Sequence, residues 1–439
     1  MQPYGNAADI SVMGLGYVGL TLSVAFLTVG ERIHGVEAQE PRRKQLLKGE
    51  VDLYEPSVKE VVAEKVGSLF AVTATLPDRP QVVFICVGTP YDKALDRPSL
   101  EHLEAAVQSI AEVMDEQTLV IVRSTVPIGT TREVVLPILT AKVKRPRLVF
   151  APERTIQGKA VEELKRLPQI IGTENEEDFK FAAAVFAKLS IHSIRVSSFE
   201  AAEMIKLTCN SHTDVIYSFG NEVAAIAESY GLDAMEIVGA ANLNYPRPDI
   251  ARPGFVGGSC LTKDPFHLMY SSRNKGYEPQ LISAARQLNE SLSGRIVSRL
   301  DKNRDELGWE WSSLDVLVSG FAYKGVPQTD DVRGSAVLDI LPMLKQLGCR
   351  GLYGHDFIVS EGMIASLGAT PISLEDGIKK CQIILILNNH PQYAEMDFHL
   401  LLDNQEDKKM VYDLWGVLRE KSSVLQTKCN FYQGVGFGV

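Results

Sequence analysis

The stretch Ile10-Ser11-Val12-Met13-Gly14-Leu15-Gly16-Tyr17-Val18-Gly19 constrains this chain more than any other. A short apolar strand runs straight into three glycines spaced G-x-G-x-x-G, and residues 20–29 continue with helical character up to Gly30. Strand, glycine turn and helix in that order suit a dinucleotide-binding unit. The first glycine makes the tight turn, the second lets a pyrophosphate reach the backbone, and the third lets helix and strand pack closely. The motif alone is weak evidence, but a second strand over 32–36 ends in Glu37, about 20 residues further on, where an acid would bond an adenosine ribose. A carboxylate there repels a 2′-phosphate and favours NAD over NADP, with Arg42 and Arg43 as the competing signal.

Further βα units follow. Residues 82–87 run into Gly88-Thr89-Pro90, 119–122 into Arg123-Ser124-Thr125-Val126-Pro127, and 148–150 into Ala151-Pro152-Glu153-Arg154. Apolar runs without alternation fit strands covered on both faces, as in a parallel sheet. Doubly wound sheets bind ligands at the carboxyl ends of their strands. Thr125 and Glu153 are therefore expected at one cleft, with helix capping or solvation as the alternative for each. Residues 199–230 contain no proline and one interior glycine, Gly220, which predicts a long helix able to link two domains. On it Glu203, Lys206 and Asn210 lie near one face, Lys206 and Asn210 being direct i, i+4 neighbours. A cation and an amide donor side by side suit an oxyanion; a solvated polar face is the alternative.

From about residue 314 a second α/β pattern begins, with strands expected over 316–320, 351–353, 383–387 and 410–412. It lacks the glycine motif, so its sheet edge is expected to take another nucleotide or a phosphate, with Lys324 and Arg333 as candidate anion ligands. Thr329-Asp330-Asp331-Val332-Arg333 reads as a turn entering a helix.

With 439 residues the chain is too long for one ordinary core and implies two or three domains. No run approaches the ~18 apolar residues of a membrane span, and the first residues lack the pattern of a signal peptide, so a cytoplasmic protein without membrane partners is expected. Six cysteines (86, 209, 260, 349, 381 and 429) include no CxxC pair, so they are expected to be reduced and to hold no metal. The formal net charge of −10 argues against nucleic-acid binding.

One cysteine stands apart. Cys260 ends the run Gly254-Phe255-Val256-Gly257-Gly258-Ser259-Cys260 and precedes Leu261-Thr262-Lys263-Asp264-Pro265. A thiol on a glycine loop with an ammonium and a carboxylate behind it reads as a nucleophile. A small buried hydrophobe beside a turn reads equally well from these residues alone.

Taken in order, the motifs resemble those of the UDP-glucose/GDP-mannose dehydrogenase family of nucleotide-sugar 6-dehydrogenases. The resemblance runs through Gly14 to Leu20, Val87-Gly88-Thr89-Pro90, Ser124-Thr125-Val126-Pro127-Ile128-Gly129-Thr130, Pro152-Glu153-Arg154, Glu203-Met204-Ile205-Lys206-Leu207, Gly257-Gly258-Ser259-Cys260 with Lys263-Asp264, and Gly320-Phe321-Ala322-Tyr323-Lys324 with Thr329-Asp330-Asp331-Val332-Arg333. It implies an α/β fold of two Rossmann-like, doubly wound parallel-sheet domains joined by a central helical segment. The boundaries expected are 1–197 for the NAD domain, 198–305 for the helical, dimer-forming segment with the cysteine loop, and 306–439 for the UDP-sugar domain.

The resemblance further implies oxidation of a sugar C6 alcohol to a carboxylate with two NAD. Cys260 would capture the intermediate aldehyde as a thiohemiacetal that becomes a thioester. Lys206 and Asn210 match the oxyanion-stabilising pair, and Asp264 the carboxylate assisting through Lys206. Glu153 matches an acid/base group for thioester hydrolysis, and Thr125 a threonine near the same water and cofactor. Implied NAD contacts are Gly14, Gly16, Tyr17, Val18, Gly19, Glu37, Arg42, Thr89, Thr125 and Arg333. Implied UDP-sugar contacts are Glu153, Arg154, Lys206, Asn210, Arg247, Gly257 and Lys324, with Arg252 competing with Arg247.

The segment Ala151-Pro152-Glu153-Arg154-Thr155 resembles the branch acting on UDP-N-acetylhexosamines, whereas Ser259-Cys260 and Lys263-Asp264 resemble the UDP-glucose branch. The first is favoured because the Glu153 segment runs along the substrate. Three alternatives stay open: a UDP-glucose enzyme, a two-electron hydroxyacid-type dehydrogenase that leaves Cys260 idle, and a non-catalytic nucleotide-sugar-binding protein.

Overall fold

Strands with no polar face need cover on both sides, and the apolar runs of the first half receive it in the middle of an eight-stranded sheet. The computed structural model describes residues 10–190, 192–246, 248–396 and 409–438. The chain divides into two compact units, Met1–Asn210 with Lys263–Glu278, and Ser211–Thr262 with Pro279–Val439.

The strands of the first unit are β1 (Ile10–Met13), β2 (Ile33–Val36), β3 (Phe70–Thr73), β4 (Val82–Ile85), β5 (Tyr91–Asp92), β6 (Arg97–Pro98), β7 (Leu119–Val122), β8 (Arg147–Phe150), β9 (Gln169–Gly172) and β10 (Ser193–Val196). Their order in the main sheet is β10-β9-β8-β7-β4-β1-β2-β3, while β5 and β6 form a separate antiparallel hairpin. From β3 to β8 every pairing is parallel. One antiparallel join, Phe150 to Gly172, adds the parallel pair β9 and β10 at the edge. Chain order reverses between β1 and β4, the place where an open α/β sheet leaves its ligand crevice. The core is dense with aromatic contacts: Phe84 meets Phe26 and Phe186 with ring centroids 5.8 and 5.6 Å apart. Each buried phenylalanine contributes about 1.5–3 kcal/mol relative to exposure.

The second unit holds β11 (Asp315–Ser319), β12 (Gly351–His355), β13 (Thr370–Pro371), β14 (Ile383–Ile386), β15 (Lys409–Asp413) and β16 (Cys429–Gln433), all parallel in the order β13-β12-β11-β14-β15-β16. Here the turn after the first strand differs from that of the first sheet. Gly320 has a left-handed φ of 95°, but the next residue is the fully buried Phe321, and Asp356 after β12 accepts the Phe321 and Ala322 N–H groups at 2.6 and 3.1 Å. The expected helix after Thr329 starts later, at Val337, because Asp331 accepts the Arg333 N–H in a tight turn and pairs with its guanidinium.

The long helix Phe199–Ser229 passes through Gly220 without a break, and Ala234–Asn242 and Gln280–Glu306 extend the helical segment. Among the described residues no helix is long and apolar enough to cross a membrane. Gly220 is explained by contact: a Cβ there would lie 2.3 Å from the Ala251 carbonyl oxygen. Alanine would gain about 1 kcal/mol of helix propensity, but forcing two backbones apart costs about 1–3 kcal/mol. Gly220→Ala is therefore expected to lower the thermal midpoint, read by circular dichroism, whereas a propensity-dominated site would raise it.

Candidate active site

The glycine turn has the geometry its spacing predicts. Gly14 has φ of 84°, and a Cβ on Gly19 would lie 2.0 Å from the Gly14 carbonyl oxygen, so neither position accepts a side chain. At Gly16 nothing lies within 4 Å of a Cβ position, leaving an open cradle over the amino end of the helix Tyr17–Thr28. Backbone N–H groups and the helix dipole there suit a pyrophosphate. Glu37, at the end of β2, is buried and accepts the Leu15 and Gln39 N–H groups at 3.1 and 2.9 Å. Arg42 donates to the Leu15 carbonyl at 3.0 Å and pairs with Asp52 at 2.9 Å. These residues fit NAD, with the ribose acid and a cation fastened to the turn itself.

Tyr17 is held in a way its motif does not predict. Its hydroxyl bonds Glu55, a buried carboxylate that also accepts the Gly158 and Ala160 N–H groups at 2.7 Å each. The glycine turn is thereby tied to the segment 153–160. Val18 packs against the core, Thr89 is buried, and the Thr89 hydroxyl donates to the Thr125 carbonyl. Two loops after neighbouring strands, β4 and β7, are joined by that bond.

Beside these loops stand two buried carboxylates. Both Nε and a terminal nitrogen of Arg123 donate to one oxygen of Glu153, at 3.2 and 2.8 Å; the other oxygen accepts the Arg154 and Thr155 N–H groups. Burial pushes the Glu153 pKa up, but Arg123, these bonds and Lys206 outweigh it and hold it below the usual carboxylate range. Arg154 itself turns to the Pro168 carbonyl.

Asp264, fully buried at the first turn of the helix Asp264–Arg273, accepts from the Asn210 amide at 2.5 Å and pairs with Lys263 at 3.1 Å. Burial again pushes its pKa up, and Lys263, Lys206 and Asn210 bring it below the ordinary value. Lys206 is itself buried and acts electrostatically on both acids. Its helix face is therefore an interior cation and amide, and the solvated-face alternative falls. Glu203 on the same helix is structural: it accepts the Gly129 and Thr131 N–H groups at 2.6 and 2.8 Å.

Cys260 belongs to the second unit and is exposed, which removes the buried-hydrophobe alternative. Its loop is shaped by close approach. A Cβ on Gly254 would strike the Trp415 ring at 2.5 Å, one on Gly257 the Gly334 carbonyl at 2.4 Å, and one on Gly258, whose φ is 88°, the Tyr323 ring at 2.8 Å. Asn221 accepts the Gly254 N–H at 2.8 Å, and Arg286, paired with buried Asp214 at 2.6 Å, donates to the Leu261 carbonyl. Tyr323 and Arg333 lie within electrostatic range of the thiol, and the Lys324 ammonium sits 5.2 Å from the Tyr323 ring centre. At the carboxyl ends of β14 and β15 a cleft of about 400 Å³ is lined by Arg252, Asn389, His390, Gly416, Arg419 and Lys421. Arg247 lies outside the described residues. Among the described residues no cluster of three or more His, Cys, Asp or Glu could hold a metal ion.

Arg123, Glu55, Asn221 and His267 were not singled out from the sequence. Arg123 carried a usable signal, a charge abutting a wholly apolar strand; the other three are tied to partners distant along the chain.

The first unit is the cofactor half of an NAD-dependent dehydrogenase, and comparison with known proteins narrows the class. Residues 8–190 match the NAD binding domain of the UDP-glucose/GDP-mannose dehydrogenase family, 200–291 its central domain and 317–420 its UDP binding domain. The chain belongs to this family, an NAD-dependent oxidoreductase of UDP-sugars. It is 30% identical over 408 residues to the UDP-N-acetyl-D-mannosamine dehydrogenase of Methanocaldococcus jannaschii, covering 90% of this chain and 89% of that relative. The solved UDP-D-ManNAc dehydrogenase of Pyrococcus horikoshii superposes with a TM-score of 0.87 at 29% identity, over 98% of this chain and 99% of that one. A UDP-glucose dehydrogenase from Pyrobaculum islandicum gives 0.85 at 26% identity, over 100% of this chain and 99% of that one.

Burial of His267 leads to a test. Burial first, and Lys263 second, depress its pKa to about 3, so it stays neutral in the folded protein. Unfolded histidine protonates below about pH 6.5. Stability from this group is therefore intact above pH 6.5 and is lost as pH falls towards 3, about 2 kcal/mol of it by pH 5. In urea denaturation at pH 7 and 5, His267→Gln should show an acid-induced loss smaller by that amount; an equal loss would mean that His267 is accessible to protons.

Proposed function

We propose that this chain oxidises C6 of a UDP-N-acetylhexosamine, UDP-N-acetylmannosamine foremost, to the uronate in two successive two-electron steps. NAD, when bound, supplies the hydride acceptor for each oxidation. The net reaction converts a primary alcohol, water and two NAD⁺ into a carboxylate, two NADH and three protons. The observation carrying the reading is that an exposed cysteine on a glycine loop occurs in a chain that also holds buried Lys206 and Asp264 together with the half-buried Asn210 that bonds Asp264.

In this reading the Cys260 thiolate adds to the C6 aldehyde, and the resulting thiohemiacetal oxygen takes its proton or its charge stabilisation from Lys206 and Asn210. Oxidation at that carbon leaves a thioester, and water replaces sulfur at the acyl carbon to release the thiolate. Asp264, held ionised, fixes the Asn210 amide and balances Lys206. Glu153, also ionised, would orient the hydrolytic water by exchanging one of the two backbone N–H bonds it accepts, with Thr125 beside the cofactor. The N-acetyl preference is supported by the names of the relatives above and by the Glu153-Arg154-Thr155 segment. Arg252, Arg419 and Lys421 around their cleft suit the anionic part of a nucleotide, while Lys324 and Gly257 lie on the loops nearest Cys260. A two-electron hydroxyacid dehydrogenase would leave Cys260 and the second sheet without a task.

Incubation with a panel of UDP-hexoses should release two NADH per UDP-N-acetylmannosamine consumed, and Cys260→Ser should lower uronate formation on the order of a thousandfold. One NADH with a free aldehyde would overturn the four-electron scheme, and a strong preference for UDP-glucose would move the reading to that sugar.

The reading includes a cytoplasmic homodimer. Free cysteines suit a reducing compartment. The helices Phe199–Ser229 and Ala234–Asn242 expose Phe219, Ile226 and Ile237, and the turn between them exposes Tyr230, apolar area of the kind that a second copy covers. Light scattering should give twice the chain mass, and Phe219→Asp with Ile226→Glu should give the monomer; an unchanged mass in the double variant would exclude this face.

A further inference from the structure

The helix Asp264–Arg273 presents more than its terminal carboxylate. One turn along, fully buried His267 directs Nε2 at the Thr89 carbonyl, 3.2 Å away, and the Thr89 hydroxyl bonds onward to the Thr125 carbonyl. A carbonyl only accepts, so Nε2 carries the proton; among the described residues Nδ1 has no hydrogen-bond partner. A further turn on, the Ser271 hydroxyl donates to the His267 carbonyl at 2.8 Å and accepts the Ile128 N–H at 2.9 Å. Phe266 stacks on Tyr91 with centroids 5.4 Å apart, and Arg273 reaches Asp96 at 3.0 Å. One ten-residue helix thus bonds to both loops that follow β4 and β7.

We infer that His267 is a positioning residue for the dehydrogenase: together with Ser271 it clamps the loops of Thr89 and Thr125 to the helix headed by Asp264. The inference rests on reading those threonines as cofactor-side residues. The clamp fixes the spacing between the cofactor loops and the buried carboxylate. Burial keeps the imidazole neutral through the physiological range, so the bond to Thr89 is made without a buried charge. Without it the Thr89 carbonyl is left buried and unsatisfied, the loops occupy other arrangements, and the apparent affinity for NAD falls with the competent fraction.

His267→Leu should raise KM for NAD about tenfold and leave KM for the UDP-sugar within about twofold. His267→Gln, whose amide nitrogen reaches as far as Nε2, should recover most of the loss, and Ser271→Ala should shift NAD in the same direction as His267→Leu. Should His267→Leu not fold, Ser271→Ala decides. The clamp is refuted if NAD affinity is unchanged in the variants, if both substrates weaken together, or if Gln is as impaired as Leu. NAD titration by intrinsic fluorescence reads the same ratios without turnover. Were Thr125→Ala to leave NAD affinity unchanged while His267→Leu lowered it, the reading of Thr125 would fail and the clamp would stand.

Discussion

Keeping two carboxylates ionised inside protein is the constraint around which the first unit is organised. Moving an isolated carboxylate out of water costs several kcal/mol even after relaxation, and Glu153 and Asp264 are both buried. Each is kept charged by a dedicated set of partners, Arg123 and two N–H groups for Glu153, Asn210 and Lys263 for Asp264, with Lys206 acting on both. The alternation of cation and anion leaves little freedom for Lys206. Lys206, buried between the two acids, is the cation they share. Remove one member and the cost falls on the rest, because an unpaired buried charge remains.

The two sheets show how one design is turned to two ends. In both, the first strand ends in a left-handed glycine and the neighbouring strand delivers an acid that accepts N–H groups from the turn: Glu37 from Leu15, Asp356 from Phe321 and Ala322. In the first sheet the turn continues with Gly16 and Gly19 and leaves an open cradle. In the second a phenylalanine fills the core at that point and the loop continues into Tyr323 and Lys324. The open glycine cradle thus lies in the part of the chain that matches the family's NAD binding domain, and the filled turn in the part that matches its UDP binding domain.

Much of this was legible along the chain because it is local. The glycine turn, the buried strands, Glu37 and the long helix follow from spacing and from runs of apolar residues. What stayed hidden depends on contacts between distant segments. Tyr17 and Glu55 are 38 residues apart, Arg123 and Glu153 30, and Thr89 and His267 178; no periodicity links them. The antiparallel entry of β9 is likewise set by the path of the chain. The helix expected after Thr329 was displaced by a side-chain event, the hold of Asp331 on the Arg333 backbone, that composition does not distinguish from a helix cap. Lys206 and Asn210 could be placed side by side from sequence, but that they face inward follows only from where Asp264 comes to rest.

The central claim is that Cys260 carries the sugar covalently between two oxidations. Mass spectrometry of the protein quenched during turnover of UDP-N-acetylmannosamine and NAD tests it most directly. The account requires an acyl adduct of the UDP-sugar on the peptide that contains Cys260, absent in Cys260→Ala. Steady formation of uronate by Cys260→Ala, with two NADH per sugar, would contradict it.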